Sequence, residues 1–339
     1  MSKFRIGVTG DVVKADGSSI FSDATFKLLS DPRVEWEFMD TASVEVTPEQ
    51  AARYDAICAM LTRVTERSLS EPDLRLKLVA RFGVGYDTID VPACTNAGVM
   101  LTIAPDGVRR PVATSAVTFV LMLAQKVLIK DRLVRAGRWN EKMEHIGTGL
   151  TGRVLGSVGI GNIGAEMFRL AKPFEMVHIA HDPAADPRVA AEIGVRLVDM
   201  DTLFRESDFV TINCPLSEKT RGLVNERLLG LMKPSAYLIN TARGPIVDEA
   251  ALYRALKDGR IAGAGLDVFE EEPTPTDNPI LALDNVIVTP HGICFTDECM
   301  NRLAESAFRA ALDVVSGKAP PYVVNPAALD HARLKGALA

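Results

Sequence analysis

Three glycines in this sequence have a spacing that points to chemistry. Gly159, Gly161 and Gly164 form a G-x-G-x-x-G pattern in VLGSVGIGNIG, between an apolar segment and the helix-like segment AEMFRLAKPF. Such glycines permit a tight turn, a close approach of the backbone to a pyrophosphate, and close packing of helix on strand. The helix start adds free N–H groups, including those of Asn162 and Ile163. These five residues therefore predict a dinucleotide site, although a glycine triplet alone can also be a simple turn.

An acidic residue follows the glycine loop at the distance where such a residue selects between NAD and NADP. The next apolar segment, MVHIA, is followed by His181 and Asp182, and Asp182 comes 18 residues after Gly164. An acid at this distance accepts the ribose 2′-hydroxyl of NAD, whereas the 2′-phosphate of NADP needs a cation. The first cation downstream is Arg188. The sequence therefore predicts NAD as the cofactor; the alternative is that Asp182 is a turn residue before proline.

Three longer segments are more distinctive than the glycine loop. They are FVTINCPLSEKTRGLVNERLLGLMKPSAYLINTARGPIVDE at 209–249, GAGLDVFEEEP at 263–273 and VIVTPH at 286–291. Together they resemble the signature segments of the D-isomer-specific 2-hydroxyacid dehydrogenases, such as phosphoglycerate dehydrogenases and glyoxylate or hydroxypyruvate reductases. A weaker similarity, including RFGVGYDTID at 81–90, extends from the first strand to about residue 326. The resemblance implies hydride transfer between NAD(H) and C2 of a small 2-hydroxy or 2-oxo acid.

The same resemblance implies the roles of three residues. Arg243 in NTARG would bind the substrate carboxylate, His291 in TPH would be the acid and base, and Glu272 in EEEP would pair with the histidine. The chemistry agrees, because arginine offers a charged planar fork for a carboxylate and histidine exchanges protons near neutral pH. A carboxylate on the distal imidazole nitrogen fixes the tautomer and favours the charged ring. Glu270 and Glu271 fit a solvated loop, and only Glu272 has the family spacing.

Further contacts to cofactor and substrate are implied in the same way. Those beside the cofactor are Cys214, Pro215, Thr241, Ala242 and Asp267, the last at the nicotinamide carboxamide. The amides of Val84 and Gly85 would meet the substrate carboxylate. Arg63, which follows the apolar segment AICAM, is expected to contact the far end of the substrate. No metal ligand is implied.

The sequence departs from the family pattern at two places that would flank the substrate. Where a V-A-E string usually opens a long helix, this chain has V-A-T, ending at Thr114 and preceded by Arg109 and Arg110. The segment that begins at Gly292, GICFTDE, also differs. The identity of the acid therefore cannot be carried over from relatives.

Short apolar segments must form the strands that position these residues. They alternate with amphipathic segments, the pattern of parallel strands joined by helices, so the predicted fold class is α/β. The predicted strands are Phe4–Val8, Val34–Phe38, Ala56–Met60, Lys77–Ala80 and Val99–Leu101, then 154–159, 176–180, 195–198, 208–212, 236–240, 263–267 and 286–288. The segment between Pro111 and Gly137 has no internal glycine or proline and predicts one long helix.

The resemblance groups these elements into two doubly wound parallel-sheet domains. A Rossmann cofactor domain, residues 103–291, is inserted into a flavodoxin-like substrate domain made of residues 1–102 and 292–339. The substrate is expected between them. The long helix is expected to support a homodimer, and no further regulatory domain is expected.

Composition narrows the class of partner and the location. Of 339 residues, 47% are hydrophobic and 24% are charged, as in a globular protein long enough for two domains. The net charge of -6 disfavours nucleic acid and anionic membranes as partners. Five cysteines without a C-x-x-C pair indicate neither a disulfide framework nor a thiolate metal site. Since no signal peptide or long apolar span is evident, the cytoplasm is expected.

Two alternatives remain. Tyr253 and Lys257 match the Y-x-x-x-K pair of short-chain reductases, but the glycine loop of that class lies near the N-terminus and not at Gly159. The same scaffold can also serve as an NAD-sensing binding protein. The absence of a basic or disordered recruiting tail favours the enzyme, and turnover of 2-oxo acids would separate the two.

Overall fold

The computed structural model describes residues 3–40 and 44–335. The chain divides into two units: a first unit of Met1–Val108 with Phe295–Ala339, and a second unit of Arg109–Cys294. The predicted domain limits, at residues 102 and 292, lie six and three residues from these. Residues 1–2, 41–43 and 336–339 of the predicted substrate domain lie outside the described residues.

The first unit contains a five-stranded parallel sheet. Its strands are β1 (Phe4–Val8), β2 (Val34–Phe38), β3 (Ala56–Ala59), β4 (Leu78–Arg81) and β5 (Met100–Thr102). Their order is β2-β1-β3-β4-β5, so the winding direction reverses between β1 and β3. β3 and β4 are buried along their whole length, as expected for parallel strands that are covered on both faces.

Helices from both ends of the chain belong to this unit. They are α1 (Asp23–Phe26), α2 (Pro48–Arg53), α3 (Val91–Asn96) and the late helix α11 (Asp297–Val315). α11 packs on β3 and β4. The ring of Phe308 on α11 lies between 5.6 and 6.3 Å from the rings of Phe21, Phe26 and Phe82. A helix near the C-terminus therefore completes a core that begins near the N-terminus.

The segment after α11 is fastened to β5 by polar side chains. Asn325 accepts a hydrogen bond from the Leu101 N–H at 2.8 Å and donates to the Val99 carbonyl at 2.9 Å. Arg333 donates to the Leu76 carbonyl at 3.0 Å and also to the carbonyls of Leu74 and Ala97. These bonds satisfy buried backbone groups at the edge of the sheet.

The second unit contains a seven-stranded parallel sheet. Its strands are β6 (Val154–Val158), β7 (Val177–His181), β8 (Val195–Leu197), β9 (Phe209–Ile212), β10 (Tyr237–Asn240), β11 (Gly263–Leu266) and β12 (Val286–Val288). Their order is β12-β11-β10-β9-β6-β7-β8, with the reversal between β6 and β9. This is the strand order of a Rossmann fold, and the predicted α/β class is confirmed.

The remaining helices either precede β6 or connect the strands of this sheet. They are α4 (Pro105–Ala124), α5 (Val127–Arg135), α6 (Asn162–Ala171), α7 (Pro187–Glu192), α8 (Met200–Glu206), α9 (Glu226–Leu229) and α10 (Glu249–Lys257). Short 3-10 helices lie at Gly10–Val12, Lys27–Ser30, Arg67–Leu69, Trp139–His145, Lys172–Phe174, Gly244–Ile246, Pro279–Ala282 and Pro326–Asp330. Buried apolar clusters lie on both faces of the seven-stranded sheet, and they fix the strand ends that carry the site.

The prediction of one long helix between Pro111 and Gly137 was wrong. The helix starts earlier, at Pro105, and ends at Ala124, and a second helix follows at an angle of 55°. The break is at Lys126, whose φ of 52° is left-handed. Local sequence gave no sign of it, because a non-glycine residue occupies the left-handed region. In the described residues no single helix is long and apolar enough to span a membrane, although the bent pair α4 and α5 reaches that length and composition when taken together.

Candidate active site

The predicted dinucleotide loop joins β6 to α6. Gly159 has a φ of +95°, and a Cβ at this position would lie 2.9 Å from the backbone of residues 213–214. A Cβ at Gly164 would lie 2.6 Å from the carbonyl oxygen of Gly159, whereas a Cβ at Gly161 would meet no atom within 4 Å. α6 begins directly afterwards, at Asn162, with its free N–H groups at the loop. The turn, the close packing and the open backbone that a pyrophosphate requires are therefore all present.

Asp182 follows β7 and contacts the same loop. Its Oδ2 accepts a hydrogen bond from the Ile160 N–H at 3.0 Å, and its Oδ1 accepts one from the Ala184 N–H at 2.9 Å. Each carboxylate oxygen has a second lone pair, so Asp182 can still accept from ribose hydroxyls. Arg188, the first cation downstream, forms an ion pair with Asp186 at 3.0 Å. A 2′-phosphate would meet a carboxylate at this position and an arginine that already has an acidic partner.

The other residues predicted beside the cofactor lie at the same edge of the sheet. Cys214 and Pro215 follow β9, and Thr241 and Ala242 follow β10. β10, β9 and β6 are neighbours, so these residues share the carboxyl edge with the glycine loop. Burial raises the pKa of the Cys214 thiol to about 11, so the thiol is neutral at physiological pH. Their contact with the cofactor stays a prediction.

His291 and Glu272 form a hydrogen-bonded pair. Nδ1 of His291 lies 2.7 Å from Oε2 of Glu272, and Oε1 of Glu272 accepts the Phe269 N–H at 3.0 Å. The two side chains are 42% and 36% exposed, so a ligand can reach them. With an ionised carboxylate as partner, Nδ1 carries the proton of this hydrogen bond, and Nε2 is the ring nitrogen left to face a ligand.

The charge state of Glu272 follows from its surroundings. Burial raises the pKa of this carboxyl, but the hydrogen bonds from His291 and the Phe269 N–H, together with the charges of His291 and Arg243, outweigh it. The net effect is a pKa below that of an ordinary glutamate. Glu272 is therefore ionised at neutral pH.

Asp267 has a structural role that the sequence did not reveal. The side chain is buried, and its Oδ1 accepts hydrogen bonds from the Thr289 hydroxyl at 2.6 Å, the Gly292 N–H at 2.9 Å and the Ile293 N–H at 3.1 Å. These bonds hold the turn in which His291 has a left-handed φ of 50°, a strained conformation for a non-glycine residue. Asp267 thus fixes the position of the histidine, while its predicted contact with the nicotinamide stays a prediction.

Arg243 is positioned by a residue that sequence reasoning missed. Asn240, the last residue of β10, is buried; it accepts from the Ala242 N–H at 3.0 Å and donates to the Arg243 carbonyl at 2.9 Å. Nη1 of Arg243 donates to the Ala242 carbonyl at 2.7 Å. The sequence feature that could have pointed to Asn240 is its position as a polar residue at the end of the otherwise apolar strand YLIN. The structure brings Arg243 close enough to Glu272 for its charge to lower the pKa of that carboxyl.

The predicted substrate residues of the first unit follow neighbouring strands. Arg63 follows β3, and Val84 and Gly85 follow β4, so all three lie at the carboxyl edge of this sheet. The backbone of Arg63 is held on both sides, by the Val44 carbonyl at 2.9 Å and the Val46 N–H at 2.9 Å. Their contact with substrate stays a prediction.

Asp11, which the sequence did not single out, holds the loop before Arg63. Its Oδ2 accepts from the Leu61 N–H at 2.6 Å, the Thr62 N–H at 2.9 Å and the Thr62 hydroxyl at 3.1 Å. Asp11 follows β1 and the loop follows β3, so this contact lies where the winding direction reverses. The backbone amides of Leu61 and Thr62 at this edge of the sheet are therefore bound by the Asp11 carboxylate.

Two of the positions that depart from the family pattern, Arg110 and Thr114, have partners within the second unit. Arg110 forms an ion pair with Glu166 of α6 at 2.8 Å, and the Thr114 hydroxyl donates to the Arg110 carbonyl at 2.8 Å. Arg110 therefore supports the helix that follows the glycine loop. In the part of the chain that the structure describes, no group of three or more His, Cys, Asp and Glu side chains could hold a metal ion.

Comparison with known proteins gives a consistent set of relatives. A family model described as D-isomer specific 2-hydroxyacid dehydrogenase, NAD binding domain, matches residues 117–292. A glyoxylate reductase of Korarchaeum cryptofilum is 39% identical over 293 residues, which cover 86% of this chain and 88% of that protein. A D-3-phosphoglycerate dehydrogenase of Archaeoglobus fulgidus is 38% identical over 265 residues, 78% of this chain and 50% of that protein.

A solved structure agrees with these sequence matches. A D-lactate dehydrogenase of Aquifex aeolicus, complexed with NAD and lactic acid, is 29% identical with a TM-score of 0.78, and the match covers 92% of this chain and 96% of that one. The segment matched by the family model contains the glycine loop, Arg243, Glu272 and His291.

Proposed function

The chain belongs to the D-isomer specific 2-hydroxyacid dehydrogenases, and we propose that Arg243, Glu272 and His291 are the residues that carry out the family reaction in it. The protein is an NAD-dependent oxidoreductase that transfers a hydride at C2 of a small 2-hydroxy or 2-oxo acid. The observation that supports the residue assignment is the 2.7 Å hydrogen bond between Nδ1 of His291 and Oε2 of Glu272.

The proton steps follow from this hydrogen bond. With Nδ1 donating to Glu272, Nε2 of His291 gives a proton to the oxygen on C2 during reduction and takes it back during oxidation. Reduction thus needs the charged ring and oxidation the neutral one. Ionised Glu272 stabilises the charged ring and fixes its orientation.

Arg243 is proposed to hold the substrate carboxylate. A 2-oxo acid has a planar carboxylate next to the reacting carbonyl, and a guanidinium can bind it through two parallel hydrogen bonds. Asn240 fixes the backbone on both sides of Arg243, which supports a single orientation for the arginine. An oriented substrate lowers the entropic part of the barrier.

The cofactor is NAD, and it supplies or accepts the hydride when bound. Residues proposed to hold it are Gly159, Gly161, Asn162, Ile163, Gly164, Asp182, Cys214, Pro215, Thr241, Ala242 and Asp267. The open backbone at Gly161 and the free N–H groups of α6 suit its pyrophosphate, and the Asp182 carboxylate suits its ribose.

We propose glyoxylate as the first substrate to test. The support is that relatives named glyoxylate reductase match over most of both chains, whereas the phosphoglycerate dehydrogenase match spans half of that protein. NADH oxidation should be followed by nicotinamide absorbance with glyoxylate, hydroxypyruvate and pyruvate, for the parent and for His291→Ala. The variant should bind NADH as the parent does in a fluorescence titration and turn over little. Equal turnover by parent and variant would exclude His291 as the acid and base.

We also propose a homodimer in the cytoplasm. Support for the dimer is a group of exposed apolar side chains in the second unit, from 38% exposed at Leu128 to 69% at Met143. The group consists of Val127, Leu128, Val134, Trp139, Met143 and Ile146. Apolar surface of this kind is typical of interfaces between copies. The location is supported by five free cysteine thiols.

A further inference from the structure

The loop that carries Glu272 is tied to α10 by two other glutamates. The Glu249 N–H donates to Oε1 of Glu270 at 3.1 Å, and the Glu270 N–H donates to Oε2 of Glu249 at 3.0 Å. Glu249 is the first residue of α10, where N–H groups lack partners inside the helix. Each carboxylate therefore satisfies the backbone of the other residue.

The far end of the loop is tied to the same glutamate. Nδ2 of Asn278 donates to Oε1 of Glu249 at 2.6 Å and to the Thr274 hydroxyl at 3.0 Å. Glu249 thus binds the loop both at Glu270 and at Asn278. Glu272 lies between these two points, so fixing them restricts where its carboxylate can be.

The loop also packs directly on the segment that carries Arg243. A Cβ at Gly244 would lie 1.8 Å from the Phe269 carbonyl oxygen and 2.5 Å from the Glu270 nitrogen. The two backbones touch, and a side chain at Gly244 would separate them. The backbone of residues 269–270 is therefore in contact with the arginine segment on one side and bonded to Glu249 and Glu272 on the other.

We propose that Glu249 and Glu270 are positioning residues that hold the Glu272 carboxylate against Nδ1 of His291. This inference rests on the proposed function, because it assigns these residues to the proton steps. Glu270 is exposed, and the sequence placed it in a solvated loop. Its hydrogen bond with the Glu249 N–H shows that it holds the loop to α10 instead. The charged groups that face Glu272 are His291 and Arg243.

The test uses the full-length enzyme and variants of adjacent acids. Glu270→Ala removes the hydrogen-bond acceptor, and Glu270→Gln removes the charge but keeps an acceptor oxygen. Glu271→Ala is the matched control, since Glu271 has no hydrogen bond or ion pair with any described residue. The measurements are the pH profile of kcat for oxo-acid reduction, KM for NADH, and Tm.

We expect Glu270→Ala to lower kcat at neutral pH by up to about tenfold, less than the ~100-fold that a displacement of about 1 Å can cause. Its alkaline limb should move to lower pH, in the direction expected for Glu272→Gln, with KM for NADH unchanged. Glu270→Gln and Glu271→Ala should keep the parent profile. In Glu270→Ala/Glu272→Gln the shift should be no larger than in Glu272→Gln alone, because Glu270 acts through Glu272.

Three results would overturn the inference. If the Glu270→Ala profile overlays the parent profile while Tm falls, the bonds only stabilise the loop. If Glu270→Gln shifts the profile as far as Glu270→Ala, charge and not position is responsible. If Glu272→Gln itself leaves the profile in place, the proposed pair fails and this inference fails with it. Should Glu270→Ala not fold, Asn278→Ala provides the same test at the other end of the loop.

Discussion

The carboxylate of Asp182 and the amide of Ile160 are joined by a hydrogen bond of 3.0 Å. Ile160 lies between the first two glycines of the dinucleotide loop, so the acid that is expected to recognise the ribose also holds the pyrophosphate loop. Removing Asp182 therefore has two separable effects, one on the choice of nucleotide and one on the loop.

Asp182 should make NADH preferred over NADPH by at least about tenfold in kcat/KM, which corresponds to ~1.4 kcal/mol. Asp182→Asn keeps an oxygen that can accept from the loop amide but loses the charge. We therefore expect it to reduce the difference between the two kcat/KM values, mainly by raising the value for NADPH. Asp182→Ala loses both and should weaken both cofactors. Steady-state kinetics with each cofactor measure this, and equal kcat/KM values for the two in the parent would contradict it.

Arg243→Lys should remain folded but lose about 100-fold in kcat/KM for the oxo acid, because a point charge does not reproduce the planar fork. Steady-state kinetics and Tm are the measurements. Arg254→Lys is the matched control: Arg254 is exposed on α10 and pairs with Glu226 at 3.3 Å. If Arg243→Lys matches the control, Arg243 does not bind the carboxylate.

Glu272→Gln should affect the rates of reduction and oxidation differently. An amide does not stabilise the charged ring of His291, so the alkaline limb of reduction and the acid limb of oxidation should both move to lower pH. At neutral pH, reduction should slow more than oxidation. The pH profiles of kcat/KM in both directions measure this.

The direction of the pKa shift of Glu272 determines the useful pH range for that experiment. Its folded-state pKa is lowered, so the stability it contributes is present above its unfolded value of ~4.3 and is lost as the pH falls through the folded value. Glu272 therefore stays ionised in profiles recorded above about pH 5. Unchanged profiles would contradict the proposed role of Glu272 as the partner of His291.

His178 should make the protein sensitive to mild acid. Burial lowers the pKa of this histidine, and its Nε2 has no hydrogen-bond partner among the described residues. The unfolded chain binds a proton near pH ~6.5 and the native state resists it, so stability is full above that value and declines below it. We expect His178→Phe to flatten the fall of Tm between about pH 7 and 5.

The matched control for that experiment is His145→Gln, outside the core of the sheet. The ring of His178 lies 4.8 Å from the ring of Phe168, so a phenyl ring is a suitable replacement in this packing. An equal flattening in both variants would show that His178 is not the source of the acid sensitivity.

Met143→Asp should weaken the proposed dimer, because a charge in an apolar interface loses its hydration without a partner. Light scattering after gel filtration should give the mass of one chain for this variant and of two for the parent. Val189→Asp, at another exposed apolar position on α7, should leave the mass unchanged. A parent with the mass of one chain would refute the proposal.

The sheets could be predicted from the sequence almost completely. Each predicted strand is present, and its ends differ by no more than one residue from those in the structure. The reason is that strands buried on both faces, such as β3 and β11, appear in the sequence as short apolar runs. Gly159 was predicted from the glycine spacing, whereas Arg243 and His291 were implied by the resemblance to the family, and all three follow strands at the carboxyl edge where ligands bind.

The groups that support these residues could not be predicted. Oδ1 of Asp267 meets the Gly292 N–H 25 residues further along the chain, and this contact depends on how β11 pairs with β12. The contact between Glu249 and Glu270 likewise depends on where the first residue of α10 lies along the direction of the neighbouring strands β10 and β11. Such relations are properties of the register, which no local pattern contains.

The aromatic cluster of the first unit has a consequence for the order of folding. Phe21, Phe26 and Phe82 are synthesised early, but Phe308, which packs on all three, is synthesised more than 220 residues after Phe82. Domains fold as they emerge from the ribosome, so the uninterrupted second unit can fold while the first still lacks its last helix. During that interval three phenylalanines have no α11 to cover them. Nascent chains of this protein should therefore bind chaperones that recognise aromatic segments, and release should come only after α11 has emerged.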